Sequence, residues 1–305
     1  MNAASPVETR PSLALISLKN ILFTTDFSPS SLAALPHAAA IARRYGSKVY
    51  LGHAVQPHPY PLVSAEAIAY LDQLTRGAEK HLAGLSNSEL LREIVHQPLL
   101  RHGEVTEVLR GLIKDYQIDL VVTGTHGRRG VRRFFLGSVA EEIFRTSLCP
   151  VLTVGPHVSS QVPHELALRH VLFATDLSEG SLSAMPHALS FALEYGARLT
   201  ILHVVPQAAE RGQDLTAKAL AVEVEKRVPA DAKPWCEPKC VVQAGAPAHT
   251  ILEVAKLQPA DLIVFGVRPA SALTTHRMGT VAYRVVTEAE CPVLAVREET
   301  DGKSA

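Results

Sequence analysis

The chain has few cysteines, a single tryptophan and no excess of charge of either sign. Its 305 residues include 4 cysteines, which is too few for a disulfide framework at this length. The 30 basic side chains balance 30 acidic ones, which argues against a general affinity for nucleic acid or anionic membranes. No apolar run approaches the roughly 20 residues that span a bilayer. These absences favour a globular chain long enough for two domains.

The amino-terminal segment lacks the features of a secretory signal. Its short apolar patch, Leu13 to Leu18, is preceded by Arg10 alone as a basic residue, and no small-residue cleavage site follows it. We therefore expect residues 1–18 to form a flexible lead into the first strand, and the protein to be cytoplasmic.

The cysteines and histidines leave a metal site as the weaker alternative. Cys149 and Cys291 each open a Cys-Pro-Val-Leu string, and Cys236 and Cys240 form an isolated C-x3-C. Reduced structural thiols are the simpler interpretation, and a metal or redox site at the C-x3-C is the alternative. The 14 histidines are scattered along the chain, so we expect packing or solvated roles for them and no metal site.

An internal repeat organises the chain. From Ile21 and Val171 onward, about 16 of 35 aligned pairs are identical without a gap, far more than shared composition would give. Residues 118–154 and 260–296 also align without a gap. The repeat predicts a first domain at 19–155, a linker at 156–168, a second domain at 169–297 and a tail at 298–305.

Each copy alternates strand and helix patterns. In the first copy the apolar runs predict strands, and the stretches between them predict helices. A helix is predicted to end at Tyr45-Gly46 in the first copy and at the equivalent Tyr195-Gly196 in the second. The predicted strands are Ile21–Thr25, Lys48–Ala54, Ile94–Leu100, Leu120–Thr123 and Val151–Val154, and the predicted helices are Ser31–Tyr45, Ala65–Gly84, Val105–Tyr116 and Ser138–Ser147. Consecutive apolar positions suit strands covered on both faces. The fold class is therefore α/β, with two tandem doubly wound, mostly parallel sheets and helices on both faces.

A glycine-rich loop follows the fourth strand of the first copy. Gly124-Thr125-His126-Gly127 is followed nine residues later by Gly137-Ser138, which gives G-x-x-G-x9-G-S. Glycines let backbone N–H groups approach phosphate oxygens, and a helix beginning at Ser138 would favour an anion. Arginines, Arg128 among them, crowd the segment between the glycines. The alternative is that the glycines only make tight turns and the arginines are solvated.

These motifs resemble the universal stress protein family. The resemblance rests on the glycine pattern, on an Asp that closes the first strand and on the Cys-Pro-Val before the last strand. It implies five-stranded sheets in the order 3-2-1-4-5 and an adenine nucleotide, ATP or a relative, with Mg²⁺ left open as a companion ion. It also implies that the last strands of the two copies pair as an intramolecular pseudo-dimer, and it leaves a further homodimer open.

The resemblance also assigns roles to residues of the first copy. Asp26, with Thr25 beside it, would contact the ribose and adenine, and the backbone at Ala54 would hold the adenine edge. The phosphates and ribose would be surrounded by Gly124, His126, Gly127, Gly137, Ser138 and Val139. Thr123 and Arg128 belong to the same expected nucleotide site. We identify no catalytic residue, because neither His126 nor Asp26 has an orienting partner in the sequence.

The second copy differs from this pattern at two positions of the predicted phosphate-binding loop. It retains Asp176, Gly266 and Gly279, but it has Pro269 in place of Gly127 and Arg268 in place of His126. Proline offers no N–H to a phosphate, although an arginine still offers a contact, so the sequence leaves binding in the second copy open.

Three functions follow from this site. The leading one is a stress-response regulatory protein that binds ATP in its first domain and changes its conformation or its engagement of an unidentified protein partner. The second is a slow ATPase or adenylyl-transferring enzyme, and the third is an interaction module that needs no nucleotide.

Overall fold

The computed structural model describes residues 16–56, 65–125, 143, 147, 149–159, 166–207, 213–227, 238–267 and 280–297. The first copy contributes five strands and four helices to this part of the chain. Its strands are β1 (Asn20–Thr24), β2 (Lys48–Val55), β3 (His96–His102), β4 (Leu120–Gly124) and β5 (Val151–Val154), and its helices are α1 (Pro29–Leu32), α2 (Leu35–Tyr45), α3 (Ala65–Ser86) and α4 (Val105–Asp115).

The second copy repeats this order of elements. Its strands are β6 (His170–Thr175), β7 (Arg198–Val205), β8 (Lys239–Ala244), β9 (Leu262–Val267) and β10 (Val293–Arg297), and its helices are α5 (Glu179–Leu182), α6 (Met185–Tyr195), α7 (Gln213–Arg227), α8 (Pro247–Leu257) and α9 (Thr280–Glu288). The α/β alternation predicted from the sequence is confirmed.

The described strands form one sheet rather than two separate ones. Their order is β3-β2-β1-β4-β5-β10-β9-β6-β7-β8, so each half has the order 3-2-1-4-5. Pairing is parallel within each half, and β5 and β10 join the halves as an antiparallel pair in which Leu152 faces Leu294. The strands that end each copy are therefore interior strands of a ten-stranded sheet, and neither presents an open edge.

The core lies on both faces of this sheet. Successive strand residues point to opposite faces, so Ile21 and Phe23 pack with α2 and α3 whereas Leu22 packs with α4. Both sets are almost completely buried. Burial on both faces is the reason why these strands are apolar at consecutive positions.

Two predicted elements have different bounds in the structure. The predicted helix Ser31–Tyr45 is broken into α1 and α2, with Pro36 in the first turn of α2, where its missing N–H costs no hydrogen bond. The predicted strand Ile94–Leu100 begins instead at His96, because the chain is still turning at Ile94, whose N–H donates to the Leu91 carbonyl oxygen at 3.0 Å and whose side chain is buried. The apolar pattern did not distinguish a buried turn from a strand.

The predicted helix ends at the paired glycines are confirmed. Gly46 caps α2 with a φ of 65°, and Gly196 caps α6 with a φ of 64°. Glycine adopts this left-handed conformation without the penalty that a Cβ atom brings.

The thiols at the start of β5 and β10 are buried. Burial raises the pKa of Cys149 to about 11 and that of Cys291 to about 12, so both remain protonated and unreactive near neutral pH. Cys236 lies outside the described residues, so the C-x3-C alternative is not tested. Within the described ranges, no helix combines the length and the apolar character that crossing a membrane requires.

Candidate functional site

The candidate site lies at the carboxyl edge of the first half-sheet. β1 pairs with β2 on one side and with β4 on the other, so Thr24 lies between Gly52 and Thr123. The strand order reverses direction at this point, and open α/β sheets bind ligands outside the carboxyl ends of strands at such a switch point. The chain leaving β1 carries Thr25 and Asp26 directly into that position.

The turn after β1 is built by short hydrogen bonds from its own side chains. Oδ1 of Asp26 accepts from the Ser28 N–H at 2.9 Å, and Oγ1 of Thr25 accepts from the Phe27 N–H at 2.9 Å. The side chain of Ser28 caps α1 by accepting from the Ser31 N–H at 3.2 Å. Phe27 has a φ of 63°, a conformation that a bulky residue adopts only under such constraint. The turn therefore holds the half-exposed carboxylate of Asp26 in a defined place.

A histidine connects the ends of β1 and β2. Nδ1 of His53 lies 2.7 Å from the Thr25 carbonyl oxygen, and Nδ1 of His203 lies 2.9 Å from that of Thr175. A carbonyl oxygen only accepts, so Nδ1 carries the proton in both rings. Sequence reasoning assigned these histidines to packing or solvated roles, and the repeated position was the one signal of a shared task.

Aromatic rings gather beside Asp26 in the first copy. The Phe27 ring centre lies 4.4 Å from that of His53 and 4.9 Å from that of His81 on α3. The second copy has Leu177 at the same place with nearly the same φ, 65°. Sequence reasoning missed Phe27 and His81, because nothing in the sequence shows that α3 returns to the end of β1.

The glycine at the end of β4 has a packing role in both copies. A Cβ atom on Gly124 would lie 2.3 Å from the Ser30 carbonyl oxygen, and one on Gly266 would lie 2.3 Å from the Gly180 carbonyl oxygen. These distances are far below contact, so α1 and α5 approach their strands only because both residues are glycine. The presence of Gly124 thus has a reason that is independent of any ligand, and its predicted contact with phosphate remains a prediction.

The chain after β4 leaves the sheet beside β5. The Thr125 N–H donates to the Val154 carbonyl oxygen at 3.2 Å, and Thr125 is buried. Beyond this point His126, Gly127, Arg128, Gly137, Ser138 and Val139 lie outside the described residues, as do Arg268, Pro269 and Gly279 of the second copy. The structure therefore brings together Thr25, Asp26, Ala54, Thr123 and Gly124 at the ends of β1, β2 and β4.

The corresponding edge of the second copy differs in detail. Oδ1 of Asp176 accepts from both the N–H and the hydroxyl of Ser178, at 3.0 Å and 2.5 Å. Phe265 replaces Thr123 and is buried in the apolar core beneath α8 and α9. Within the described part of the chain, no group of three or more His, Cys, Asp and Glu side chains is arranged to hold a metal ion.

Comparison with known proteins gives a consistent set of relatives. The sequence pattern of the Universal stress protein family matches residues 17–155 and again residues 167–297. A universal stress protein of Mycolicibacterium smegmatis is 29% identical over 299 residues, which are 91% of this chain and 96% of that protein. One of Methanocaldococcus jannaschii is 33% identical over 140 residues, 43% of this chain and 82% of that protein. A solved universal stress protein of Archaeoglobus fulgidus shares the fold, with a TM-score of 0.72 and 20% identity over 92% of this chain and 99% of that one.

Proposed function

Because the chain belongs to the universal stress protein family, we propose that its first copy, residues 19–155, binds ATP or a related adenine nucleotide. The observation that carries this proposal is the turn at the end of β1, which holds the Asp26 carboxylate at the switch point between β2 and β4. In the same copy the sequence G-x-x-G-x9-G-S follows β4, and we propose that its serine caps a helix. The proposal therefore assigns the carboxylate and the phosphate-binding loop to the same edge of the sheet.

The described half of the site fits the sugar and base of a nucleotide. Asp26 is an acceptor for ribose hydroxyl groups, and it lies at a strand end apart from the glycine loop that would meet the phosphates. Thr25 beside it is buried and bonded to Ser31, so its role is to position Asp26. The half-buried Ala54 at the end of β2 would present its backbone to the adenine edge.

The phosphates are assigned to the loop after β4. His126, Gly127, Arg128, Gly137, Ser138 and Val139 would surround them, with Thr123 and Gly124 leading into the loop. Backbone N–H groups and the start of a helix after Gly137 would supply the positive potential, and Mg²⁺ would screen the phosphate charge. The second copy, residues 169–297, has Pro269 at the position that corresponds to Gly127, so we propose that it serves mainly as a scaffold.

Nucleotide binding in one copy suits a regulatory protein of the cytoplasm. ATP would bias the conformation of the segment Arg128–Leu136 and change the surface presented to a protein partner. We propose no catalytic step, and we assign the Asp26 carboxylate to binding the ribose.

Calorimetric titration of the purified chain with ATP, ADP and AMP, with and without Mg²⁺, tests the proposal. We expect one bound nucleotide per chain, loss of binding in Gly127→Pro, and at least a tenfold weaker affinity in Asp26→Ala. The matched control is Asp176→Ala, which makes the same change in the second copy and should leave the affinity unchanged. No binding by the wild-type chain, or equal losses in Asp26→Ala and Asp176→Ala, would refute the assignment.

A further inference from the structure

The two copies meet at a pair of equivalent charged residues. Arg44 and Glu194 are 150 residues apart, the same separation as Ile21 and Val171, and so they occupy one position of the repeat. Nε of Arg44 lies 2.8 Å from Oε1 of Glu194, and Nη2 of Arg44 donates to the Glu194 carbonyl oxygen. The guanidinium also lies 5.6 Å from the centre of the Tyr195 ring. An ion pair therefore joins the end of α2 to the end of α6.

Contact between equivalent residues marks the pseudo-two-fold axis of the chain. In a symmetric pairing, residues beside the axis are those that meet their own equivalents. Leu152 and Leu294 meet in this way across β5 and β10, and Arg44 and Glu194 do so at the helix ends. The axis thus passes through one apolar pair and one charged pair.

Residues beside such an axis decide which surfaces pair well. Duplication begins with the same residue in both copies, and two identical charges facing each other at this distance repel. An opposite pair attracts, and here it gains the second bond to the Glu194 carbonyl. Pairing first copies of two chains would set Arg44 against Arg44, and pairing second copies would set Glu194 against Glu194.

We propose that Arg44 and Glu194 make the pairing surface around β5 selective for the second copy of this chain over another first copy. Leu152 and Leu294 are the same residue type, so their contact stabilises the pairing of any two copies and does not distinguish a first copy from a second. The charged pair supplies the choice between a first and a second copy. The covalent connection between the two copies then favours the second copy of the same chain, by raising its effective concentration.

Charge reversal in the full-length chain tests the proposal. We expect Arg44→Glu and Glu194→Arg each to lower the midpoint of thermal unfolding by about 2–4 °C at low salt. The double variant, which restores an opposite pair in reversed order, should return to the wild-type midpoint, and Arg44→Gln should fall between. The differences should shrink in 1 M salt, where the screening length is about 3 Å, because both side chains are partly exposed, at 44% and 40%.

A matched control reverses a charge within a single helix. Arg76 pairs with Asp72 inside α3 at 2.5 Å, so the effect of Arg76→Glu should not depend on the residue at 194. In the control double variant, Arg76→Glu with Glu194→Arg, the two decreases in unfolding midpoint should simply add. If the decreases caused by Arg44→Glu and Glu194→Arg also add in their double variant, the ion pair does not couple the copies and the proposal is wrong.

The selectivity of pairing is measured by the number of chains in the species that form on refolding. In Arg44→Glu every pairing, within or between chains, has the same charges, so native mass spectrometry after refolding at high concentration should show more multi-chain species than for wild type. The double variant should show as few as wild type. Equal amounts in all three proteins would refute the selectivity even if the midpoints differ.

Discussion

Mild acid should destabilise this protein through two buried histidines. His37 on α2 and His187 on α6 occupy the same position of the repeat, and His37 is 4% exposed. Within the described residues, Nδ1 of His187 has no hydrogen-bond partner, and the His37 ring meets the Ser159 backbone too loosely for a well-formed hydrogen bond. Burial lowers the pKa of each from 6.5 to about 4, with the Ser159 backbone opposing the shift at His37.

The sign and size follow from linkage. The folded state keeps both rings neutral, whereas the unfolded chain takes up protons as the pH falls below 6.5, so stability is lost between about 6.5 and 4 and then levels off. A shift from 6.5 to about 4 corresponds to about 3 kcal/mol per ring at full effect, and to about 2 kcal/mol per ring at pH 5. Two rings together approach the whole stability of a typical domain, about 5–15 kcal/mol.

Urea unfolding followed by circular dichroism, at pH 7.5, 6 and 5, measures the effect. The wild-type free energy of unfolding should fall steeply over this range. His37→Leu should remove about 2 kcal/mol of the loss at pH 5 while changing the stability little at pH 7.5, because an apolar side chain leaves no unpaired nitrogen in the core. Leu35→Ala on the same helix provides the control, since it removes no titratable group and should lower the stability by the same amount at each pH. A His37→Leu curve parallel to that of the wild type would refute the reasoning.

Three further predictions concern packing, capping and the thiols. Gly124→Ala should lower the free energy of unfolding by about 1–3 kcal/mol in urea titrations, because the added Cβ would meet the Ser30 backbone. Gly77→Ala is the control: Gly77 lies in open space on α3, and the change should raise the free energy of unfolding by up to about 1 kcal/mol. Ser28→Ala removes the cap of α1 and should cost about 0.5–2 kcal/mol in the same assay, and an unchanged value would contradict the cap. Cys149 and Cys291 should react with a thiol reagent only as the chain unfolds, since burial raises both pKa values; labelling in the native protein faster than unfolding would contradict this.

Local patterns predicted the elements well where they depend on neighbours in the chain. Tyr45-Gly46 ends a helix because glycine alone takes the left-handed conformation cheaply, and this rule needs no tertiary contact. The apolar run of β1 indicated a strand covered on both faces for the same reason. Patterns failed where a distant element decided the outcome, as at Ile94, which was predicted to begin a strand but is buried in a bend against the core of the first copy.

The candidate site divides in the same way. The repeat and the glycine motif predicted a site at the carboxyl edge of the first half-sheet, with Asp26 at that edge. Neither revealed that Phe27 contacts the rings of both His53 and His81, since these three residues come from different elements. Gly124 was interpreted from its motif as part of a phosphate cradle, and its contact with α1 became visible only once strand and helix were docked.

By itself, the sequence determined that this chain is a duplicated α/β unit, because periodicity, turn chemistry and the repeat are properties of residues close together in the chain. The pairing of β5 with β10, which the family resemblance implied, is confirmed. Only the tertiary structure decided that this pairing makes one continuous ten-stranded sheet and that Arg44 meets Glu194 beside the axis. Those contacts join residues more than 100 positions apart. Their geometry depends on how two finished surfaces fit together, and that fit is not written in any local pattern.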